Sequence, residues 1–199
     1  VHLLEPSGPG SAGSVTIVVP TYNEAENLPL LVDRLFALEI PDVRLIIVDD
    51  SSPDGTASVA KELSAKHGGC VEVITRRRKE GLGSAYLEGF SAAMATGTDY
   101  VVQMDADLSH SPEHIPGFLD ELKQADVVVG SRYIAGGGVD TNWGFKRRMM
   151  SYYANLGIRL ITGVNVKDPT SGFKGFRASA VNLICRNTFR CSGFGFQVE

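Results

Sequence analysis

Short apolar runs alternate with amphipathic segments along most of the chain. The runs are rich in β-branched residues and show no strict alternation of apolar and polar positions, which is typical of strands buried on both faces of a sheet. We predict strands at residues 15–19, 45–48, 71–75, 100–104 and 127–129, and a short strand or hairpin at 172–176.

The amphipathic segments have the apolar spacing of helices. We expect the first helix to begin after Asn23, with Glu26 as the second member of a capping box. Further helices are predicted at residues 56–66, 84–95, 112–123 and 147–161. Alternating strands and helices predict a single α/β domain with a mostly parallel central sheet flanked by helices. Such sheets bind ligands at the carboxyl ends of their strands.

Composition and charge exclude several classes of protein. The chain has 199 residues, 43% of them hydrophobic and 21% charged, which is normal for one globular domain. Its formal net charge of −4 argues against general nucleic-acid binding, because nucleic-acid-binding proteins usually carry a basic surplus. Two basic runs, at residues 76–79 and 146–148, are either solvated faces or sites for anionic groups of a ligand. The three cysteines indicate neither a disulfide framework nor a zinc site.

The sequence has the features of neither a signal peptide nor a membrane-spanning segment. Residues 1–14 are rich in Pro, Gly and Ser, and we expect them to form a disordered leader ahead of a domain at 15–199. No apolar stretch approaches the ~18 residues that are needed to cross a bilayer. We therefore expect the chain to stay in the cytoplasm.

Two aspartates, Asp105 and Asp107, follow the fourth predicted strand. In an extended segment, side chains two residues apart point to the same side, and two like charges repel unless a cation lies between them. Oxygen ligands select a hard ion, so the pair predicts a Mg²⁺ or Mn²⁺ site completed by water and phosphate oxygens. The alternative is that one aspartate caps a turn or helix while the other is solvated.

Polar residues also follow the first two predicted strands. Asp49 and Asp50 end the second strand, where a carboxylate can accept hydrogen bonds from a ribose or a base. A turn closed by Asp and Ser side chains is an equally natural interpretation. After the first strand, Tyr22 could stack on a base and Glu24 could reach a ribose hydroxyl, although a capped helix start explains the same segment.

A third group of polar residues lies later in the chain. Arg132 follows the fifth predicted strand, and Arg147 and Ser151 are four residues apart on one face of a predicted helix. Two guanidiniums and a hydroxyl that converge at the ligand edge would form a phosphate clamp, although Arg147 by itself fits a surface helix charge. The three glycines at 136–138 are a candidate lid.

Eight short strings, in their order along the chain, resemble glycosyltransferase family 2, and in particular its polyprenol-phosphate (dolichol-phosphate) mannose synthases. The strings are Val19-Pro-Thr-Tyr-Asn-Glu24, Val48-Asp-Asp-Ser-Ser-Pro-Asp-Gly-Thr56, Gly81-Leu-Gly-Ser-Ala-Tyr86, Met104-Asp-Ala-Asp-Leu-Ser-His110, Gly130-Ser-Arg-Tyr133, Arg147-Arg-Met-Met-Ser151, Asp168-Pro-Thr-Ser-Gly-Phe173 and Gly195-Phe-Gln-Val-Glu199. The first four mark the wider family, and the resemblance spans residues 15–199.

The resemblance implies a GT-A (Rossmann-like) catalytic domain, a GDP-mannose donor and a dolichyl-type polyprenyl phosphate acceptor in the membrane. The site residues that it implies serve the nucleoside, the metal with the diphosphate, and the acceptor phosphate. In that order, they are Pro20, Tyr22, Glu24, Val48 and Asp50; Asp105, Ala106 and Asp107; and Arg132, Arg147 and Ser151. It marks Asp105, Asp107 and Arg132 as catalytic.

Three further expectations follow from the resemblance. The position two residues after the second aspartate is often Gln in this branch and can join the metal, and here it is Ser109, a shorter oxygen ligand. The acceptor phosphate is already an anion, so no general base is needed, and a single metal-assisted displacement predicts inversion at the sugar. Relatives often carry transmembrane hairpins after this domain, so we expect a peripheral enzyme at the cytoplasmic face of a membrane, anchored by further sequence or a partner subunit.

Three other functions remain open at this stage. UDP-glucose is the nearest alternative donor. A haloacid dehalogenase-like phosphatase also uses two aspartates after a strand, with the first as nucleophile, but normally on its first strand. The third alternative is a non-catalytic module that binds nucleotide sugars.

Overall fold

The computed structural model describes residues 13–131, 157–158, 163 and 166–186. Within them, strands and helices alternate over most of the chain, as the hydrophobic pattern predicts. The strands are β1 (Val15–Thr21), β2 (Val43–Asp49), β3 (Val71–Thr75), β4 (Tyr100–Gln103), β5 (Val127–Val129) and β6 (Lys174–Arg177). The helices are α1 (Asn27–Phe36), α2 (Thr56–Lys66), α3 (Leu82–Ala95), α4 (Ile115–Glu121) and α5 (Ala178–Arg186), with a 3₁₀ turn at Pro112–His114.

The strands form one sheet in the order β3-β2-β1-β4-β6-β5. The pairs β3–β2, β2–β1 and β1–β4 are parallel, whereas β6 runs antiparallel to both of its neighbours. The mostly parallel sheet predicted from the sequence is therefore confirmed. The strand or hairpin predicted at 172–176 is β6, at Lys174–Arg177, which is inserted antiparallel between β4 and β5, a position that its sequence alone does not indicate.

Successive residues of the central strands enter opposite faces of the sheet. Ile17 and Val19 of β1 belong to the core under α1, α2 and α4, whereas Val18 belongs to the core under α3 and α5. All three side chains are fully buried. Burial on both faces explains why β1 reads as an unbroken apolar run.

Helix α3 lies unusually close to the sheet at Gly89. A Cβ at Gly89 would stand 2.3 Å from Cγ1 of Val18 and 3.2 Å from Cγ2 of Val48. Only a residue without a side chain allows this approach. The contact fixes the height of α3 above β1 and β2, and therefore of the residues that α3 contributes to the ligand edge.

Several boundaries differ from those predicted. Asn23 does not cap α1: its backbone φ is +61°, the helix begins at Asn27, and the preceding Glu26 makes no side-chain capping bond, so the capping box is wrong. The Asn27 side chain instead donates to Glu24 Oε2 at 2.8 Å. Helix α5 was not predicted, and the predicted helix at 147–161 lies outside the described residues except for the helical pair at 157–158.

Over the parts of the chain that the structure describes, every helix is too short or too polar to cross a membrane.

Candidate active site

The loops that follow β1 and β2 are bonded to each other at the carboxyl edge of the sheet. The backbone amides of Asn23, Glu24 and Ala25 donate to side-chain oxygens of the second loop. Their acceptors are Ser52 Oγ at 3.0 Å, Thr56 Oγ1 at 2.9 Å and Asp54 Oδ2 at 3.1 Å. These tertiary bonds, not a helix cap, decide the path of the chain after β1.

Asp49 closes the turn after β2. Its buried carboxylate accepts bonds from Thr21 Oγ1 at 3.1 Å, Ser52 Oγ at 2.6 Å and the Ser52 amide at 3.0 Å. The turn interpretation is therefore correct for Asp49, whose carboxylate oxygens are hydrogen-bonded to β1 and to the turn itself.

Asp50 organises a different loop, the one between β3 and α3. It is 5% exposed and accepts bonds from Arg76 Nη1 at 2.8 Å and from the amides of Glu80 and Gly81 at 3.0 Å. Gly81 has a φ of +96°, which glycine adopts without strain, and the turn aims the amides at the start of α3 toward Asp50. The carboxylate of Asp50 thus accepts hydrogen bonds from amides that would otherwise attract an anion.

Arg76 is the buried centre of this loop. Besides Asp50, it contacts Glu80 Oε2 at 2.6 Å, Glu88 Oε2 at 3.1 Å and Ser84 Oγ at 2.8 Å. Neither interpretation of the basic run at 76–79 fits Arg76, which is 8% exposed and bound to carboxylates. The first residue of the basic run is therefore structural, because it connects Asp50 to the loop between β3 and α3 and to α3 itself.

Tyr22 and Glu24 are the more accessible of the predicted nucleoside residues. Tyr22 is 39% exposed, and the Nζ atom of Lys79 lies 3.3 Å from the centre of its ring. Partial burial raises the pKa of Glu24, and the charges of Asp107, Asp54 and Asp105 add to that rise, against a hydrogen bond from Asn27. Glu24 is therefore within electrostatic reach of the aspartate pair that follows β4.

Asp105 is held from beneath by Tyr86 of α3. The hydroxyl of Tyr86, a fully buried residue, donates to Asp105 Oδ1 at 2.8 Å. Burial, with the charge of Asp105 beside it, raises the pKa of Tyr86 well above its ordinary value, so the phenol stays protonated and acts as the donor. The Asp105 side chain keeps 30% of its surface exposed.

Asp107 lies in a tight turn at the surface. Its Oδ1 accepts the Ser109 amide at 3.0 Å, and Leu108 between them has a φ of +61°. Among the described residues, no Lys or Arg forms an ion pair with Asp105 or Asp107. Each carboxylate thus has one oxygen engaged by the protein and negative charge that no cation in the described ranges offsets by an ion pair.

Asp105 and Asp107 supply only part of the ligand set that a hard divalent cation needs. The described residues contain no group of three or more His, Cys, Asp or Glu side chains placed to hold a metal ion. Two carboxylates are nonetheless what Mg²⁺ uses in nucleotide sites, where substrate phosphates and water complete its octahedron. The pair therefore fits a metal that binds together with a diphosphate.

The residues just before β6 lie against Asp105. The Asp105 amide donates to His110 Nδ1 at 3.0 Å, and the His110 ring stacks on Phe173 with centroids 5.1 Å apart. A Cβ at Gly172 would stand 3.0 Å from Asp105 Oδ2. The chain that leads into β6 thus brings a distant part of the sequence against Asp105.

Comparison with known proteins identifies the family. Residues 16–184 match the model of the family described as Glycosyl transferase family 2. The chain belongs to glycosyltransferase family 2. Membership argues against the phosphatase alternative, and the glycosyltransferase domain has the expected GT-A fold.

Two curated relatives are similar over most of this glycosyltransferase domain. An undecaprenyl-phosphate mannosyltransferase of Micrococcus luteus is 40% identical over 185 residues, which are 93% of this chain and 75% of the relative. A polyprenol monophosphomannose synthase of Mycolicibacterium smegmatis is 41% identical over 184 residues, which are 92% of this chain and 69% of the relative.

A solved structure has the same fold. Glucosyl-3-phosphoglycerate synthase from Mycobacterium tuberculosis, in complex with Mn²⁺, UDP-glucose and phosphoglyceric acid, superimposes with a TM-score of 0.68 at 21% identity. The match covers 94% of this glycosyltransferase chain, which spans 63% of the length of the solved chain. At that identity the likeness establishes the fold alone.

The glycosyltransferase structure places only some of the predicted site residues. Pro20, Val48 and Ala106 are buried, and the Val48 side chain lies in the core beneath α3, so only its main chain is positioned to line a nucleoside. Their ligand roles stay predictions, as do those of the exposed residues. The predicted acceptor-phosphate residues and the candidate lid lie outside the described residues: Arg132, Arg147, Ser151 and residues 136–138.

Sequence reasoning missed the groups that support the aspartate pair. Tyr86, His110 and Gly172 each touch Asp105, and Arg76 braces the loop beside it. Three of these residues lie inside the strings that carry the family resemblance, which was the available signal. Nothing in their spacing indicates that they meet one carboxylate.

Proposed function

We propose that this domain transfers a mannosyl group from GDP-mannose to a polyprenyl monophosphate of the dolichyl type. The observation that carries the proposal is the pair Asp105 and Asp107 at the carboxyl edge of a family 2 sheet, the first half-buried and the second exposed, with no ion pair to any Lys or Arg that the structure describes. Two relatives at about 40% identity, whose names describe mannosyl transfer to undecaprenyl and polyprenol phosphates, support the acceptor class and the sugar.

In this proposal, Asp105 and Asp107 hold a Mg²⁺ or Mn²⁺ ion together with the donor's diphosphate. When bound, the ion supplies positive charge that offsets the charge of the leaving diphosphate. The Mn²⁺ and UDP-glucose in the solved relative of the same fold support this choice of cofactor. Ser109 is a further oxygen beside the pair, and its amide already fixes Asp107.

Transfer proceeds as one displacement at the anomeric carbon. The acceptor phosphate oxygen forms its bond to C1 as the bond from C1 to the diphosphate breaks, so the configuration inverts. Arg132, Arg147 and Ser151 would bind the acceptor phosphate and align it for this attack, as the family resemblance implies. Such an acceptor requires that the domain work at a membrane surface. We infer that this is the cytoplasmic face, with attachment supplied by other sequence or a partner.

A donor screen tests the proposal directly. The full chain is incubated with polyprenyl phosphate, Mn²⁺ or Mg²⁺, and labelled GDP-mannose or UDP-glucose, and the labelled lipid is measured. We expect mannosyl lipid from GDP-mannose. Transfer from UDP-glucose alone supports the alternative donor, and nucleotide binding without transfer from either donor supports a non-catalytic module.

Two variants separate the halves of the site. Asp107→Asn removes one charge with little change of shape, and we expect it to abolish the metal-dependent part of GDP binding; Asp120→Asn, at an exposed position of α4, is the matched control. Arg147→Ala should raise the KM for polyprenyl phosphate while donor affinity stays unchanged. A selective loss of donor affinity in Arg147→Ala would overturn its assignment to the acceptor.

A further inference from the structure

The side of Asp105 that faces the protein interior contacts a single buried hydroxyl. Tyr86 comes from the inner face of α3 and has no exposed surface, and its ring centre lies 6.0 Å from that of Phe90. Its hydroxyl reaches Asp105 Oδ1 at 2.8 Å. A phenylalanine would fill the same apolar space, so packing against Phe90 does not require the hydroxyl.

The two oxygens of Asp105 consequently have different surroundings. Oδ1 is bonded inward, whereas Oδ2 lies next to the position that a Cβ of Gly172 would occupy and 3.9 Å from His110 Nδ1. The backbone at Asp105 is fixed too, because its amide donates to His110. Both the main chain and one carboxylate oxygen are thus set before any ligand arrives.

We propose that Tyr86 is a positioning residue that presents Asp105 to the donor's metal ion through a single oxygen. The inference rests on the proposed function, since it concerns the metal that Asp105 and Asp107 would hold. A small octahedral ion that keeps water and phosphate ligands takes one oxygen from each carboxylate more readily than two. Groups that bond to a ligand oxygen in this way orient it and tune its affinity for the metal.

Removal of one oxygen atom tests the inference. Tyr86→Phe keeps the ring and deletes the bond to Asp105. The control variant, Tyr100→Phe, deletes the hydroxyl of a tyrosine at the start of β4, at the opposite end of that strand from Asp105. Mn²⁺ affinity is measured on the full chain in the presence of GDP from the electron paramagnetic resonance signal of free Mn²⁺. GDP affinity without metal and the thermal midpoint without metal are measured in parallel.

We expect Tyr86→Phe to bind Mn²⁺ about 10- to 100-fold more weakly than the wild type, the range found when groups behind metal ligands are removed. Its metal-free GDP affinity should be unchanged, as should every value for Tyr100→Phe. Equal Mn²⁺ affinity in Tyr86→Phe and wild type overturns the inference. An equal loss of metal-free GDP affinity also overturns it, because that loss indicates general damage to the site.

Two further measurements keep the test decisive. If Tyr86→Phe does not fold, Tyr86→Met replaces it, since this change also removes the hydroxyl, fills the space with a flexible apolar side chain and should lower Mn²⁺ affinity in the same direction. Mannosyl transfer by the wild type is assayed separately. Weaker Mn²⁺ binding by the variant without any transfer by the wild type would refute the proposed function and leave the positioning role standing; transfer with unchanged Mn²⁺ affinity would do the reverse.

Discussion

Gly172 lies against the carboxylate of Asp105, so close that a Cβ added to it would stand 3.0 Å from Oδ2 and 3.1 Å from Cε1 of His110. The two residues are 67 positions apart in the sequence, at the ends of neighbouring antiparallel strands. Because of this short distance, any side chain at position 172 would press against Asp105 or His110.

Gly172→Ala should therefore weaken metal-dependent donor binding. The methyl group has to displace Asp105 or His110 by a few tenths of an ångström, and we expect a loss of about 10-fold in affinity for GDP with Mn²⁺. Isothermal titration with and without metal measures it. Gly117→Ala, in α4 where a Cβ meets nothing within 4 Å, is the control. Equal metal-dependent affinity in both variants would show that Asp105 tolerates the methyl group.

Gly89→Ala should destabilise the fold by forcing α3 away from the sheet. Its Cβ would lie 2.3 Å from Val18, and overpacking of this kind costs about 1–3 kcal/mol. Urea unfolding measures the loss. The double variant Gly89→Ala with Val18→Ala should recover part of it, because the second change removes the atom that clashes. If Val18→Ala makes the loss larger by its own full cost, the contact does not limit the approach of α3.

Arg76→Met should unfold the protein far more readily than Arg78→Met. Arg76 is buried among Asp50, Glu80 and Glu88, and loss of one partner of a buried ion pair costs about 3–5 kcal/mol. Arg78 is 82% exposed and pairs only at the surface with Glu80, so its replacement should leave the urea midpoint unchanged. Similar midpoints for the two variants would contradict the bracing role of Arg76.

Lys174 should make stability rise with pH in the alkaline range. Burial lowers the pKa of Lys174 from 10.5 to about 8, and the charge of Asp168 only partly opposes this. Between these two values the unfolded chain holds a proton that the native chain has lost, so the free energy of unfolding increases as pH rises.

The comparison of wild type with Lys174→Met isolates this effect. Urea unfolding at about pH 7.5 and about pH 9.5 gives the stability difference between the two proteins at each pH. The free energy of unfolding of the wild type, relative to that of the variant, should be larger at the higher pH. The same difference at both values would mean that Lys174 titrates with an ordinary pKa in the native protein.

The sequence predicted the sheet well because its signal is local. An apolar run such as Val15–Val19 has to be buried on both faces, whatever follows it, and the helices between the strands show their own periodicity. The predicted cap of the first helix was wrong because a contact with a distant part of the chain decided the local structure. Asn23 has the right chemistry for a cap, but its amide is bonded to Ser52 of another loop, which draws the chain away from a helix.

The site divides in the same way. The sequence predicted a metal site at Asp105 and Asp107, since two carboxylates after a buried strand are visible in the order of residues alone, and that role stays a prediction. It left both interpretations of Asp49 and Asp50 open, and the structure shows each of them bonded to the protein. The acceptor-phosphate residues stay predictions from the family resemblance.

By itself the sequence determined the family, the alternation of strands and helices, and the carboxylate pair, because each depends on residues close together in the chain. Only the tertiary structure decided what surrounds Asp105. The hydroxyl of Tyr86, the ring of His110 and the bare backbone of Gly172 come from a helix, a loop and a distant strand end. They meet because β3 and β4 end at the edge of the sheet where the antiparallel β6 begins, and a contact made by that packing leaves no periodic trace in the sequence.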